Sequence, residues 1–388
     1  MRCLVRVGVV AVLATVTVTA AAETPQQRAQ RLIDRGLDYL ASQQSPEGGW
    51  LAQRGAPAIT ALALKAFAQH PVRKDDPRVR QGYQFLLSFQ LENGGIYQDT
   101  LASYNTATAI SALAAARNPE FQPAIDRAVA YLRSLQWQEG MTLPSGEVVQ
   151  AGDVRVGGWG YGSRGRPDGS NTSMALDALI DAGVSREDPV FKAAAQFVTR
   201  MQNLSATNDQ PWARDLPDGG DGGFIYSPAR GGESFAGEYT DSSGTRRFHS
   251  YGSMTYAGMK SLLYANLTRE DPRVQAAWGW ISRNWSLTEN PGMRNAGPDA
   301  AADGLFYYFH AMARALKEYG QPTIPTTPTP VDWRVELVNR LAELQRPDGS
   351  WKGGRAYMEE LEVLVTAYCV LALQEVLRDF ELRPPSSP

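Results

Sequence analysis

Residues 341–373 read LAELQRPDGSWKGGRAYMEELEVLVTAYCVLAL and contain one uninterrupted copy of the unit from which the chain is built. A first helix, predicted over residues 335–345, ends at a Pro-Asp-Gly turn. Trp351 follows the turn, and a much more apolar second helix is predicted to begin near Glu359. The stretch predicts an αα-hairpin with an aromatic side chain packed between its two helices.

Earlier parts of the chain repeat this pattern of a glutamine, a glycine turn and an apolar helix. The second helix of a hairpin is apolar nearly all round, so it needs neighbours on several sides, and stacked copies provide them. We call the residue packed after each turn the staple residue. A degenerate copy near Trp278 and Trp285 brings the number of predicted hairpins to six. The recognisable staple residues are Trp50, Ile96, Trp159, Phe224 and Trp351.

The repeats extend almost from end to end, so the sequence predicts one all-α domain. Residues 1–22 combine two arginines, an apolar run and a segment of small residues, which are the three parts of a secretory signal peptide. Two insertions, residues 139–156 and 203–248, interrupt the third and fourth hairpins and are expected to form a binding rim. The remaining divisions are hairpins one to five over 23–320, an extended Pro/Thr linker over 321–332, the sixth hairpin over 333–382, and a disordered tail over 383–388.

Charge and cysteine content argue against several classes of protein. The chain has 38 Lys and Arg against 41 Asp and Glu, a net charge of −3, so nothing suggests a nucleic-acid partner. Cys3 would leave with the signal peptide, so Cys369 would be the only thiol and no internal disulfide is expected. No later stretch is apolar for long enough to span a membrane. We therefore expect a periplasmic or secreted monomer that has no stable membrane span after cleavage of the signal peptide. The alternative is an uncleaved signal that serves as a membrane anchor.

The glutamine and glycine–aromatic turns resemble the repeats of squalene and terpene cyclases and of protein prenyltransferase β subunits. The resemblance is clearest in YGSMTYAGM at 251–259, DPRV at 271–274, ENPGM at 289–293 and LVTAY at 364–368, which look like an exported bacterial branch with prenyltransferase/squalene oxidase repeats. It implies an α/α toroid, in which six inner helices surround a mostly apolar cavity and six outer helices enclose them. The repeats alone indicate stacked hairpins, and ring closure comes from the resemblance.

The resemblance also implies that the starts of the inner helices form the rim of the cavity. In triterpene cyclases one such start holds an Asp-x-Asp-Asp motif that contains the proton donor. Only Glu360 and Glu362 keep two carboxyls at matching places here; their repulsion would raise one pKa and create an acid. Alternatively, both carboxyls favour the helix dipole and lie in water. This comparison rests on an alignment of the six inner helices on Thr60, Thr108, Met174, Thr255, Tyr308 and Thr366.

The zinc ligands of prenyltransferases, an aspartate and a cysteine two residues apart plus a histidine, have no match in the sequence. No metal or other cofactor is therefore expected. Aromatic side chains at the rim would suit an apolar polycyclic ligand or stacked sugars if they line a cavity, and would only fill space if they form core. The candidate ligand-binding residues are Tyr104, Asn105, Asp168, Asn171, His249, Tyr251 and Tyr307.

Three hypotheses for function follow. The leading one is an exported toroid that binds an apolar or amphipathic small molecule, or a protein, at the rim formed by residues 203–248 and the inner-helix starts. The second is an enzyme, either a diverged terpene or squalene cyclase that uses Glu360 or Glu362, or a carbohydrate-active toroid with a carboxylate pair. The third is a surface interaction module with a solidly packed interior.

Overall fold

The computed structural model describes residues 23–51, 57–143, 145–162 and 165–384. The predicted signal peptide and residues 385–388 of the predicted tail lie outside the described residues. Twelve α-helices form in the described part, alternating between outer and inner positions. The outer helices are α1 (Pro25–Ser42), α3 (Pro77–Leu87), α5 (Gln122–Ser134), α7 (Pro189–Thr199), α9 (Pro272–Arg283) and α11 (Trp333–Leu344). The inner helices are α2 (Ala58–Ala68), α4 (Ala102–Ala115), α6 (Gly169–Asp181), α8 (Gly252–Tyr264), α10 (Leu305–Tyr319) and α12 (Glu362–Leu382).

Asp-Pro pairs start three of the outer helices. Asp76, Asp188 and Asp271 each accept a hydrogen bond from the backbone N–H two residues later, and the following proline occupies the first helical turn. The carboxylate satisfies a free N–H, and proline suits a position where no N–H is needed. These segments therefore serve as joints between hairpins.

Each staple residue connects the two helices of its hairpin through polar as well as apolar atoms. Trp159 donates its indole N–H to the carbonyl oxygen of Leu132 at 2.8 Å, and its backbone N–H to Thr172 Oγ1 at 3.0 Å. All five staple side chains are fully buried. The equivalent backbone bonds join Trp50 to Thr60, Ile96 to Thr106, Phe224 to Thr255 and Trp351 to Thr366.

The repeated glutamine joins each turn to the following hairpin. Gln44 Nε2 donates to the carbonyl oxygens of Gly48 at 2.8 Å and of Arg78, in α3, at 2.9 Å. The last of these glutamines, Gln345, donates to Gly349 at 3.1 Å and to the carbonyl oxygen of Leu32, in α1, at 3.0 Å. The last hairpin is therefore bonded to the first as the others are bonded to their successors.

The inner helices form a continuous circuit in which α12 packs against both α10 and α2. The ring is thus closed, and the predicted α/α toroid is confirmed. Gly349 shows how tightly the closing joint is built. It has a φ of +90°, and a Cβ there would lie 2.4 Å from the carbonyl oxygen of Arg35, so only glycine fits.

Two local predictions are wrong. Helix α12 begins at Glu362 and not near Glu359, because Tyr357 and Met358 both adopt left-handed backbone conformations with φ of 59°. The linker predicted to be extended folds back instead. Its strands β3 (Thr323–Ile324) and β4 (Val331–Asp332) pair in antiparallel fashion. Strands β1 (Glu238–Thr240) and β2 (Arg246–Phe248) form a similar ribbon earlier in the chain.

The insertion at 203–248, which contains the β1–β2 ribbon, lies across the starts of α6 and α8. Gly169 and Tyr251 donate their backbone N–H groups to the carbonyl oxygens of Tyr226 and Phe224. Arg247 is buried and orders the segment by donating to Asp241 Oδ2 at 2.7 Å and to the carbonyl oxygen of Trp212 at 2.6 Å. None of the helices in the described ranges has an apolar stretch long enough to cross a bilayer.

Candidate functional site at the mouth of the ring

The inner helices all begin at the same end of the ring, which we call the mouth. Side chains facing the lumen recur every three or four residues along each helix, so they form layers about one helical turn apart. Nearest the mouth is the tyrosine layer, formed by Tyr104, Ser170, Tyr307 and Tyr368. One turn deeper is the middle layer, formed by Thr108, Met174, His310 and Leu371. The third is the ion layer, which contains Lys65, Ser111, Asp177 and Arg314.

Hydrogen bonds in the tyrosine layer cross the lumen. The hydroxyls of Tyr104 in α4 and Tyr368 in α12 lie 3.4 Å apart, and Ser170 Oγ in α6 lies 2.8 Å from the hydroxyl of Tyr307 in α10. Helix α2 separates α4 from α12, and α8 separates α6 from α10. Each contact therefore joins two helices that are not neighbours in the ring. The rings of Tyr307 and Tyr368 also pack edge to face at 6.0 Å.

Asp168 is a buried carboxyl beside this layer. It is 1% exposed and accepts hydrogen bonds from the backbone N–H and from Nδ2 of Asn171, each at 2.8 Å. Burial raises the pKa of Asp168 to about 6, although the two hydrogen bonds oppose the shift. Burial and then the charge of Asp168 raise the pKa values of Tyr161 and Tyr226, which places both phenols close to this carboxyl.

Glu359 supplies a second buried carboxyl from the loop before α12. It is 1% exposed, and its Oε1 accepts the backbone N–H groups of Phe306 and Tyr307, each at 2.9 Å. Burial raises the pKa of Glu359 to about 7, against the effect of these two bonds. Within the described residues, neither Glu359 nor Asp168 forms an ion pair with a lysine or arginine.

Exposed aromatic side chains surround the mouth. Tyr161 is 44% exposed and its ring lies 6.2 Å from that of Tyr104. Phe235 of the 203–248 insertion is 39% exposed, stacks on Tyr226 at 4.2 Å and contacts Tyr357 edge-on at 6.0 Å. The left-handed Tyr357 stores roughly 1 kcal/mol of backbone strain or more. Strain of this kind is frequent at binding and catalytic sites.

The ion layer fills the deeper half of the ring. Arg314 lies 2.8 Å from Asp177 Oδ1 and donates from Nη2 to Asp181 Oδ1 at 2.7 Å, while Lys65 and Lys260 bind Asp181 and Asp177 at 2.7 and 2.5 Å. Burial acts to raise the pKa values of both aspartates, but the nearby cations outweigh it and lower them. The resemblance implied a mostly apolar cavity, and the structure shows charged groups across this part of it.

A small cavity lies between the middle and ion layers. It has a volume of about 20 Å³ and is lined by His310, Ser111 and Lys65 among others. This is room for about one water molecule. Burial, followed by the charges of Lys260 and Lys65, lowers the pKa of His310 to about 3, so this histidine is neutral at pH 7.

Both the sequence and the fold are similar to those of known proteins. The squalene-hopene cyclase C-terminal domain family matches residues 51–215. Type II terpene cyclase MstE from Scytonema superposes with a TM-score of 0.51 at 14% identity, covering 91% of this chain and 99% of the cyclase. The predicted resemblance to squalene and terpene cyclases is confirmed. No curated protein matches the sequence.

Other solved structures share the toroid fold. Cellobiose 2-epimerase from Spirochaeta thermophila has a TM-score of 0.55 at 14% identity, covering 92% of this chain and 96% of the epimerase. Protein geranylgeranyltransferase-I from Candida albicans has a TM-score of 0.52 at 14% identity, covering 90% of this chain and 92% of the transferase. At these identities the likeness establishes the fold alone.

Several predicted ligand-binding residues of this cyclase-like toroid meet at the mouth. Tyr104 and Tyr307 belong to the tyrosine layer, and Asp168 and Asn171 bind each other beside it. Tyr251 is buried at the start of α8, where its backbone N–H donates to Phe224, and its pKa is raised first by burial and then by Tyr357, Tyr226 and Tyr307.

The other two predicted ligand-binding residues have different surroundings. Asn105 connects helix starts, accepting the backbone N–H of Ala58 at 3.2 Å and donating to the carbonyl oxygen of Thr100 at 3.0 Å. The ring of His249 lies 4.7 Å from that of Tyr239, which ties it to the β1–β2 ribbon.

The structure does not bring Glu360 and Glu362 together as a repelling pair. Glu362 accepts hydrogen bonds from Lys352 at 3.1 Å and Arg346 at 2.5 Å, and these contacts lower its pKa. A carboxylate held by two cations is a poor proton donor at neutral pH. Glu360 is half-buried, and the fully buried carboxyl in this turn is its neighbour Glu359.

The predicted alignment of the second and third inner helices is shifted by two residues. Thr106 and Thr172, and not Thr108 and Met174, accept the backbone N–H of their staple residues. They are therefore the equivalents of Thr60, Thr255 and Thr366. In this register Asp168 stands at the same repeat position as Tyr251 and Glu362, four residues before the threonine. The recurring buried threonine was the signal that could have given the correct register.

Replacement of Glu359 by glutamine is expected to stabilise the protein at pH 8 by up to about 3 kcal/mol and to have little effect at pH 4. The folded-state pKa, about 7, lies above the ordinary value of 4.5, so stability is complete below pH 4.5 and falls as pH rises towards 7. Urea unfolding at both pH values measures the difference. Glu362→Gln is the control. Its effect on stability at pH 8 should have the opposite sign, because the pKa of Glu362 is lowered. Equal effects of Glu359→Gln at both pH values would contradict the assignment.

Proposed function

We propose that the protein is an exported toroid that binds an apolar or amphipathic small molecule at the mouth of the ring. The observation that carries this proposal is the tyrosine layer, in which four aromatic or hydroxyl side chains face one another beneath partly exposed aromatic rings. A mouth that only filled space would have no reason to expose Tyr161 and Phe235 beside buried hydroxyl groups.

The chemistry of the mouth favours a largely uncharged ligand. Tyrosine rings offer apolar faces to a hydrocarbon skeleton, while phenol hydroxyls can donate to or accept from a few polar groups on it. Asp168 and Glu359 have raised pKa values, so each carries a proton for part of the neutral range and can then donate a hydrogen bond. Both carboxyls, when ionised, would repel an anionic ligand.

Related toroids support the choice of ligand class. A variant of the Scytonema cyclase was solved with geranylgeranyl dihydroxybenzoate as substrate, at a TM-score of 0.51 and 13% identity to this chain. The Candida albicans transferase was solved with GGPP. Both ligands have an apolar isoprenoid body, and this is the feature carried over to the proposal. Their linear chains and anionic ends are not. An exported protein would meet neutral lipids, terpenoids or glycans, and N-terminal sequencing of the exported form would test cleavage after Ala22.

The proposal is tested on the full mature chain purified from the exported fraction of its own cells. A native mass spectrum is expected to show one stoichiometric ligand, identified after extraction as a terpenoid or lipid. Tyr307→Ala and Phe235→Ala should each weaken rebinding of that ligand by about tenfold, which corresponds to about 1.4 kcal/mol. Tyr239→Ala is the matched control, since Tyr239 is equally exposed but lies on the β1–β2 ribbon.

A bare polypeptide mass, together with no binding of any terpenoid or lipid in a panel, would overturn the proposal. It would favour the hypothesis of a surface interaction module, which the packed ion layer also fits. Unchanged rebinding by Tyr307→Ala and Phe235→Ala would instead place the ligand away from the mouth.

A second candidate function is acid catalysis on the bound ligand. The specific observation is that Asp168 and Glu359 are both buried without an ion-pair partner among the described residues, and their pKa values are near neutral. A carboxylic acid kept protonated in a dry site can protonate an alkene or a leaving oxygen. Product analysis after incubation with the identified ligand tests this, and loss of turnover in Glu359→Gln with retained binding would support it.

A further inference from the structure

We propose that the tyrosine layer is the floor of the ligand site and restricts it to compact ring-containing molecules, so that extended polyprenyl chains are excluded. This inference rests on the proposed binding function and adds the shape of the ligand to it. Tyr104 and Tyr368 are the residues that set the depth.

Contacts across the lumen close the ring at the level of the tyrosine layer. The Tyr104–Tyr368 contact and the Ser170–Tyr307 hydrogen bond each span from one inner helix to another that is not its neighbour. A ligand that enters from the mouth therefore meets hydroxyl groups bonded to each other across its path. A long chain could pass only if both contacts opened.

The cavity described beneath the tyrosine layer is small. His310 of the middle layer stacks on Tyr368, with ring centroids 5.2 Å apart. The cavity between the middle and ion layers has a volume of about 20 Å³, which suits a water molecule and is smaller than an isoprene unit. Opening the tyrosine contacts would therefore give a chain very little room unless side chains were also removed.

The ion layer closes the lumen a second time. Lys65 in α2 bonds Asp181 in α6 across α4, and Arg314 in α10 bonds Asp177 and Asp181 across α8. These groups are held by buried charge pairs, and separating such a pair leaves uncompensated charge. A hydrocarbon chain cannot displace them, so the ring offers no route through to its other end.

The site therefore accepts a ligand only to the depth of the first turn of the inner helices. Its walls are the partly exposed rings of Tyr161 and Phe235, whose faces suit the broad apolar surface of a fused-ring skeleton. Its polar groups are few and lie at the floor and side. A polycyclic terpenoid or sterol-type alcohol has this combination of a compact apolar body and one or two hydroxyls.

The test compares a tetracyclic sterol with a linear polyprenol of equal carbon number, using the full mature chain and isothermal titration calorimetry. We expect the sterol to bind at least about tenfold more tightly than the polyprenol. In the double variant Tyr104→Ala/Tyr368→Ala, the polyprenol should gain about tenfold, because removal of both rings joins the site to the cavity below. Tyr256→Ala, which removes a buried tyrosine that packs on Tyr308, is the control.

Each outcome has a distinct meaning. Equal affinity of the wild type for both alcohols would overturn the depth limit while leaving the proposed binding function intact. Binding of neither alcohol, nor of any other member of a terpenoid and lipid panel, would overturn the binding function itself. If the double alanine variant does not fold, Tyr104→Phe/Tyr368→Phe removes both hydroxyls and keeps the rings. The affinity of the phenylalanine variant for the polyprenol should rise, but by less than the tenfold expected for the alanine variant. An unchanged affinity would count against the inference.

Discussion

Replacement of Arg314 by methionine is expected to lower the free energy of unfolding by about 3–5 kcal/mol at pH 7. Arg314 is buried and donates to Asp181, and its Nε lies 2.8 Å from Asp177 Oδ1. Methionine keeps most of the apolar stem but leaves two buried carboxylates with fewer cations. The loss should therefore exceed what packing alone would cause. Urea unfolding of the purified variant measures it.

Two comparisons make this expectation specific. Arg294→Met removes an exposed pair with Glu289 and should change stability by less than about 1 kcal/mol. Asp181→Asn in the Arg314→Met background should recover part of the loss, because it removes one uncompensated charge. The pKa values of Asp177 and Asp181 are lowered in the wild type. The extra stability of the wild type over Arg314→Met is therefore present above pH 3.8, the ordinary pKa of aspartate, and is lost as the pH falls below that value. A loss that persisted unchanged at pH 3 would argue against an electrostatic origin.

The second large effect is expected for Trp351→Ala, at about 3–5 kcal/mol. Trp351 is fully buried, and a Cβ built on Gly36 of α1 would lie 3.1 Å from its ring. Its indole N–H donates to the carbonyl oxygen of Leu341 at 2.8 Å. Truncation therefore leaves a cavity where the last hairpin meets the first. It also removes the indole hydrogen bond to Leu341, whose carbonyl oxygen keeps only the backbone N–H of Gln345.

Trp278→Ala is the matched control for this substitution. Trp278 is only half-buried and stacks on Tyr319 at the outer surface, so its loss should be clearly smaller. Thermal and urea unfolding of both variants provide the comparison. Losses of equal size would mean that the staple position has no special part in closing the ring.

The fold could be predicted from sequence because its determinants are local and repeated. The Asp-Pro joints, the glutamine before each turn and the staple residues all lie within a few residues of the features they specify. The register of the inner helices was harder to obtain. Thr106 and Thr172 are identified by hydrogen bonds to their staple residues. The separation between staple residue and threonine is 10 residues in the second hairpin and 13 in the third, so a fixed spacing does not find both.

The site was predicted only in part, because its key contacts join distant segments. Lys65 and Asp181 are 116 residues apart, and Glu359 caps α10 from 52 residues beyond Tyr307. Charge patterning drew attention to Glu360 and Glu362, but left-handed conformations at Tyr357 and Met358 delay the helix and turn Glu359 inward. Residue type alone does not reveal a backbone conformation that is unfavourable for both of those side chains.

The hydrogen bond from Gln345 to Leu32 has a consequence for how the protein unfolds. In an open stack of repeats, each end unit has one neighbour and can fray, so amide exchange starts there and spreads inwards. A closed ring has no end unit, because every hairpin is held on two sides. The first and last hairpins should exchange their amide hydrogens as slowly as those between them, and partial unfolding requires two interfaces to open at once.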